Sequence, residues 1–245
     1  MIDKEKIALA WSGGKDSAMA LYELRRSGRY DVVSLFTTVA AEYDRVSHHG
    51  VRAPLLRLQA SAIGLPVEIL YLEVTAPGSC QPGDDSVVMG AYERLMGNAM
   101  LRYQQAGVQA IAFGDIFLER LRAYREKSLA KIGMNGVFPI WRRDTRELLE
   151  TFLKLRFKAY VACVDAQKLG SSFAGRTIDE DFLRDLPAGV DPCGEFGEYH
   201  SFVYDGPIFN HPVGVSLGEV VRRRDQFFAD LLPLNAPDEI RAGIA

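Results

Sequence analysis

The chain has 245 residues, 48% of them hydrophobic and 25% charged, with a formal net charge of −3. That is the make-up of a soluble globular protein with room for one large domain or two modest ones. It excludes a membrane-spanning helix, because no apolar run is long enough, and weighs against broad coating of nucleic acid by a basic surface.

Met1-Ile2-Asp3-Lys4-Glu5-Lys6 is too polar to open a signal peptide, so a cytoplasmic protein is expected. Ile7-Ala8-Leu9-Ala10 then has the length and character of a buried strand. Trp11-Ser12-Gly13-Gly14-Lys15-Asp16-Ser17 follows, and apolar residues at helical spacing run from Ser17 to Leu24, with Gly28 as a C-cap. In a strand–loop–helix turn, paired glycines let backbone amides approach an anion, and the helix start adds orphan N–H groups. Ser12 and Ser17 supply hydroxyls and Lys15 a cation, while Asp16 is either a cap or a metal-directed carboxylate. The stretch is a phosphate cradle, though neither a Walker loop nor a Gly-x-Gly-x-x-Gly turn. Its Ser-Gly-Gly-Lys-Asp-Ser core resembles the pyrophosphate loop of N-type ATP pyrophosphatases.

Asp31–Val39 reads as a second buried strand with Thr37 and Thr38 at its carboxyl end, where ligands collect in open α/β sheets. The next loop carries His48-His49, better suited to phosphate or substrate than to metal, for want of a third ligand nearby. A helix from Pro54 to Gly64 and a strand from Pro66 to Val74 lead into Thr75–Asp85, the most loop-like stretch and a candidate lid. Helical periodicity over Ser86–Ala106 precedes a fourth strand, Val108–Ile116, with Gly114-Asp115 near its end. Asp115 either orients Mg²⁺ or caps the next helix, Phe117–Ile132, whose Arg122 and Glu126 form an i,i+4 pair. Strand and helix alternate four times, which implies a parallel sheet covered on both faces. Right-handed crossovers gather the glycine loop, Thr37-Thr38 and Gly114-Asp115 around one crevice.

The texture changes at Gly136–Trp141. A helix over Asp144–Phe157, a strand over Ala159–Val164 and a capped acidic helix from about Thr177 predict a second, smaller α/β domain. The domains are set at 1–134 and 135–245. Two glutamates and a histidine, Glu195, Glu198 and His200, crowd a glycine-rich stretch that runs into a strand. Such a group suits proton transfer, amine binding or metal holding, or else is a hairpin with exposed carboxylates. Cys80, Cys163 and Cys193 are scattered with no Cys-x-x-Cys pair, which argues against a zinc site or a disulfide framework. Arg142-Arg143 and Arg222-Arg223-Arg224 read as solvated faces.

The whole resembles the diphthine–ammonia ligase family. The pieces that carry the likeness are Ser12–Ser17, His49-Gly50 with Gln59-Ala60, Gly114-Asp115-Ile116 with Arg122 and Glu126, Pro139-Ile140-Trp141, Leu169-Gly170 and Gly194-Glu195-x-Gly197-Glu198-x-His200. The resemblance implies an α/β fold: a Rossmann-like (HUP-type) ATP pyrophosphatase domain with helices on both faces, plus a smaller carboxyl-terminal α/β domain. It also implies ATP-dependent amidation, in which a carboxylate is adenylated, pyrophosphate leaves and ammonia displaces AMP. In eukaryotic and archaeal members the carboxylate is that of diphthine on translation elongation factor 2. ATP would then lie on Ser12, Gly13, Gly14, Lys15, Asp16, Ser17, Thr37, Thr38, Gly114 and Asp115, with Mg²⁺ on Asp16 and Asp115. Lys15, Asp16, Glu195, Glu198 and His200 are the expected catalytic groups; His49, Arg122, Glu126, Glu195, Glu198 and His200 are expected to meet substrate. A homo-oligomer is compatible with this. Larger relatives carry further carboxyl-terminal domains, whereas this chain matches the minimal two. The competing readings are a tRNA-modifying ATP pyrophosphatase, which predicts reactive cysteines or a basic RNA face, and a non-catalytic adenine-nucleotide sensor.

Overall fold

The structure, a computed structural model, describes residues 4–42, 44–46, 50–73 and 85–234. His48, His49 and the 75–84 part of the expected lid lie outside them. In chain order the first half is β1 (Glu5–Ala10), α1 (Lys15–Ser27), β2 (Tyr30–Ala40), β3 (Arg45–Val46), α2 (Ala53–Ile63), β4 (Val67–Leu72), α3 (Asp85–Gln105), β5 (Ala110–Ala112), α4 (Glu119–Ala130) and β6 (Asn135–Val137). β4, β2, β1, β5 and β6 lie side by side, all parallel, while the short β3 runs antiparallel on the end of β2. Parallel strands joined by helical crossovers put every strand's carboxyl end on one edge.

Alternation along β1 decides which layer goes where. Ile7 and Leu9 face a large core shared with α1 and α2, whereas Ala8 faces a smaller one with Phe36, Met100, Ile111 and Leu129. Both faces of the sheet are therefore covered by helices. The fourth strand is shorter than its apolar run suggests, because Gly114 and Asp115 leave the sheet to approach α1.

The second half is α5 (Thr145–Lys154), β7 (Lys158–Asp165), α6 (Glu180–Asp185), β8 (Tyr199–Asp205), β9 (Val215–Arg223) and β10 (Gln226–Pro233). Asp144 and Asp179 cap α5 and α6 by accepting from the Glu147 and Phe182 amides. The four strands form an antiparallel sheet in the order β8-β7-β10-β9. β6 still belongs to the first sheet, so the change of sheet falls after Val137 rather than at 134/135. The large core does not stop there: Leu148, Phe152, Val161, Phe182 and Phe202 join Leu21, Leu35 and Leu55 in the same cluster. Among the described residues no helix is long and apolar enough to cross a membrane.

A second tie between the halves is ionic. Asp230 on β10 accepts from Arg45 at 3.0 Å and from Arg52 Nε and Nη2 at 2.9–3.2 Å. Burial alone would raise the Asp230 carboxyl, but the hydrogen bonds from Arg52 and Arg45 outweigh it and hold the group below its ordinary value of 3.8. Asp230→Ala should destabilise the fold by about 2–3 kcal/mol in urea denaturation, because two part-buried arginines lose their shared partner. A carboxyl depressed on folding contributes stability that is complete above its unfolded value and is lost as pH falls through the folded one. The gap between wild type and variant should therefore shrink below about pH 4.

Candidate active site

β1 ends at Ala10, and the Trp11 amide donates to the Phe36 carbonyl at 2.7 Å, so the turn leaves the sheet beside β2. Thr37, one residue further along β2, is buried there, and Thr38 beside it is half-buried. Gly13 has φ +80°, and a Cβ on it would lie 2.7 Å from Leu56 Cδ2 and 2.8 Å from Gln59 Oε1. Only glycine admits both the left-handed turn and the close approach of α2. Ser12 Oγ accepts from the Gly14 amide at 3.2 Å and lies 3.3 Å from Ser17 Oγ, which itself donates to the Gly14 carbonyl at 2.9 Å.

The start of α1 is capped from the other sheet. The Lys15 amide donates to Ser201 Oγ on β8 at 3.1 Å, while Gly14 supplies no side-chain cap of its own. The Lys15 side chain does not project into open space. It is 3% exposed, pairs with Asp16 Oδ2 at 2.9 Å and lies 4.9 Å from the centre of the Tyr199 ring. Burial pulls its pKa down, but Asp16 more than offsets this and the ammonium is held protonated, above its ordinary value.

Gly114 brings the end of β5 onto the first turn of α1: a Cβ there would meet Asp16 C, Asp16 O and Ser17 N at 2.9–3.0 Å. Asp115 is then close enough to Asp16 to feel its charge. Burial raises both, and for Asp115 the Asp16 charge adds to it against the pull of Arg125. Arg125 Nε stands 3.3 Å from Asp115 Oδ2 without the alignment of a hydrogen bond. Asp16 Oδ1 and Asp115 Oδ2 are both buried and without a hydrogen-bond partner. Two adjacent carboxylates with an unmet oxygen each fit a hard cation that takes its remaining ligands from phosphate and water. Among the described residues no group of three or more His, Cys, Asp or Glu side chains could hold a metal.

The second half contributes the loop 191–198. Asp191 Oδ1 accepts from the Cys193 and Glu195 amides, and its Oδ2 accepts from Thr145 Oγ1. Glu198 is 2% exposed, and its two oxygens accept from the Asp191 amide at 3.2 Å and the Phe196 amide at 2.9 Å. Its carboxylate thus closes the loop rather than projecting from it. Glu195 reaches the other way and accepts from the Ile116 amide at 3.1 Å, beside Asp115. Burial, reinforced by Asp16, raises its carboxyl to about 7. Next to it Phe196 is 68% exposed and lies against Phe117, ring centres 5.2 Å apart.

His200 is half-buried on β8, opposite Cys163 of β7 in the register. Arg122 and Glu126 pair at 2.8 Å, and the guanidinium lies 4.6 Å from both the Phe138 and Trp141 rings. This cluster connects to the site through contacts: Phe138 stacks on Phe113, Arg125 covers Phe113, and Arg125 pairs with Asp115. Cys193 donates its thiol to the Thr145 carbonyl, and burial pushes that thiol far up; burial likewise raises Cys163 to about 12.

Three residues with structural duties here carry no role in the sequence reading: Gln59, Tyr199 and Ser201. A signal for Gln59 was present, since it interrupts the apolar stripe Leu55, Leu56, Ala60, Ile63 of α2 with a polar group.

Comparison with known proteins adds a relationship to this geometry. A family model described as the diphthamide synthase N-terminal domain matches residues 5–136, and one described as the diphthamide synthase C-terminal domain matches 144–231. The chain is 27% identical to a diphthine–ammonia ligase of Bos taurus, over 91% of this chain and 88% of that protein. A diphthine–ammonia ligase of Danio rerio is 27% identical over 89% of each. One of Schizosaccharomyces pombe is 26% identical over 86% of this chain and 36% of its own length. Among solved structures, the U34-tRNA thiolase NcsA of Methanococcus maripaludis with its [4Fe-4S] cluster aligns with a TM-score of 0.39 and 16% identity, covering 63% of this chain and 58% of that one.

Glu198→Gln sets a donor against one of two amide donors. It should cost about 1–3 kcal/mol and speed hydrogen exchange at the 191 and 196 amides. ATP affinity, measured by calorimetry, should stay close to wild type because both Glu198 carboxylate oxygens are taken up by amides of its own loop. Unchanged exchange across 191–198 would contradict the clasp.

Proposed function

We propose that this chain, which belongs to the diphthamide synthase family, is an ATP-dependent ligase that adenylates a carboxylate and amidates it with ammonia. The observation that carries this is the meeting of two loops from opposite halves. The glycine turn at 12–17 gathers amides and serine hydroxyls at the start of α1, tied together through Gly14. Glu195 of the 191–198 loop is anchored on Ile116 beside it.

The chemistry divides between them. A substrate carboxylate oxygen attacks the α-phosphorus of ATP, the bond to the β-phosphate oxygen breaks, and pyrophosphate leaves with its electron pair. The Ser12 hydroxyl and the amides at the start of α1 hold the departing pyrophosphate, joined by the Ser17 hydroxyl once it turns from the Gly14 carbonyl it meets at rest. Asp16 and Asp115 would hold Mg²⁺, which supplies neutralising charge to the phosphates. Ammonia then adds to the acyl carbon, AMP departs, and Glu195 is the group set to take the proton that nitrogen must lose. Thr37 and Thr38 border the nucleotide. Glu198 holds Glu195 in place, Arg122, Glu126 and His200 extend the substrate side of the site, and His49, outside the described residues, is assigned to substrate by the family resemblance alone. The names of the relatives support diphthine as the carboxylate, and the same reading puts it on a translation elongation factor in the cytoplasm.

The cysteines oppose a thiolation chemistry. Cys163 and Cys193 are buried, with thiols shifted up rather than down, so among the described residues no thiolate is ready to carry sulfur.

Turnover with ¹⁵N-ammonium and the acceptor protein should yield AMP and pyrophosphate in step with labelled amide, read by chromatography and mass spectrometry. ADP as the product would overturn the mechanism; no nucleotide consumption with any acceptor would favour a sensor. Glu195→Gln should keep ATP affinity while slowing amide formation by about 10²–10⁴-fold.

A further inference from the structure

Gln59 is fully buried on α2, and its amide makes three hydrogen bonds. Oε1 accepts from Trp11 Nε1 at 2.9 Å, while Nε2 donates to the Gly13 carbonyl at 2.9 Å and to the Val203 carbonyl at 2.6 Å. The Gly13 carbonyl also accepts from the Val203 amide at 2.9 Å. One carbonyl of the phosphate turn is therefore held by two donors, a side chain of the first half and the backbone of β8 in the second.

That matters because a trans peptide points its C=O and its N–H in opposite directions. Fixing the Gly13 carbonyl toward Gln59 and β8 fixes the Gly14 N–H away from them, on the side where it meets Ser12 Oγ. Were the peptide to turn over, a carbonyl would face the anion and the amide would be lost to the interior. Trp11 in turn holds the Gln59 amide in the orientation that presents both of its N–H groups to carbonyls.

We infer that Gln59 is a positioning residue for ATP, setting the orientation of the Gly13–Gly14 peptide so that the turn receives pyrophosphate. The inference rests on the reading of 12–17 as the ATP turn. Gln59 touches no reacting atom; it acts through Gly13.

The test compares Gln59→Leu and Gln59→Glu with wild type in steady-state turnover and in ATP calorimetry. Gln59→Leu removes both donors and should raise KM for ATP about tenfold or more, leaving KM for ammonium unchanged. Gln59→Glu keeps the shape but donates only when protonated, and then to one carbonyl. None of its hydrogen-bond partners, the Trp11 indole and the Gly13 and Val203 carbonyls, titrates. Its KM for ATP should therefore recover relative to wild type as pH is lowered from about 8 to about 6, since burial raises the introduced carboxyl. This comparison of one variant with itself decides the matter even if Gln59→Leu does not fold. A role in stability alone would lower kcat with the folded fraction and leave KM for ATP and its pH profile at wild-type values, which would overturn the inference. A wild-type protein that neither binds nor uses ATP would overturn the ATP reading as well; variants that match an ATP-using wild type overturn this inference alone.

Discussion

The Gly13 carbonyl, shared between Gln59 and the β8 backbone, is the contact on which the rest of the architecture depends. A phosphate turn must direct amides outward and bury its carbonyls, and a buried carbonyl requires a donor. The first sheet supplies one donor through α2 and the second sheet supplies the other. β8 also provides Ser201 to cap α1, so the anion-binding end of that helix is finished by a residue 186 positions away in sequence. The turn is thus a joint product of both halves, and the common core beneath it is the packing counterpart of the same dependence.

Electrostatics in the site run against a simple picture of a basic pocket around a polyphosphate. The turn's own lysine is folded under it and neutralised by Asp16, with Tyr199 along its flank. Asp115 and Glu195 add further carboxyl groups beside Asp16, and burial raises both. In the function proposed above, anion binding there would rely on neutral donors, the amides and serine hydroxyls, together with a cation brought by the nucleotide. Such an arrangement suits a pyrophosphate that must be released, since fixed amides and hydroxyls hold it less tightly than a ring of permanent positive charge.

Much of this was legible in the residues. The buried run at 7–10, the paired glycines and the glycines that end helices at Gly28 and Gly64 announce the first sheet and its crevice, because each depends on local chemistry. β9 and β10 were not anticipated. β9 is an edge strand with Leu217, Glu219 and Val220 all exposed, so it lacks the inside–outside alternation that marks a strand. The roles of Glu198 and Gln59 were hidden for a different reason. A carboxylate clasping its own loop and an amide holding a distant carbonyl are defined by partners brought together in three dimensions, and no spacing rule predicts those.

The continuous core has a consequence for how such a protein can change over generations. Its two halves match separate family models, yet they are not interchangeable parts. A second half taken from a relative would have to bring a β8 whose Val203 and Ser201 counterparts meet the recipient's Gly13 and Lys15, and core side chains that mesh with Leu21 and Leu35. Sequence can therefore drift freely only away from the seam, as at Phe196, which stands out into solvent. At the seam, change in one half is admitted only with a matching change in the other.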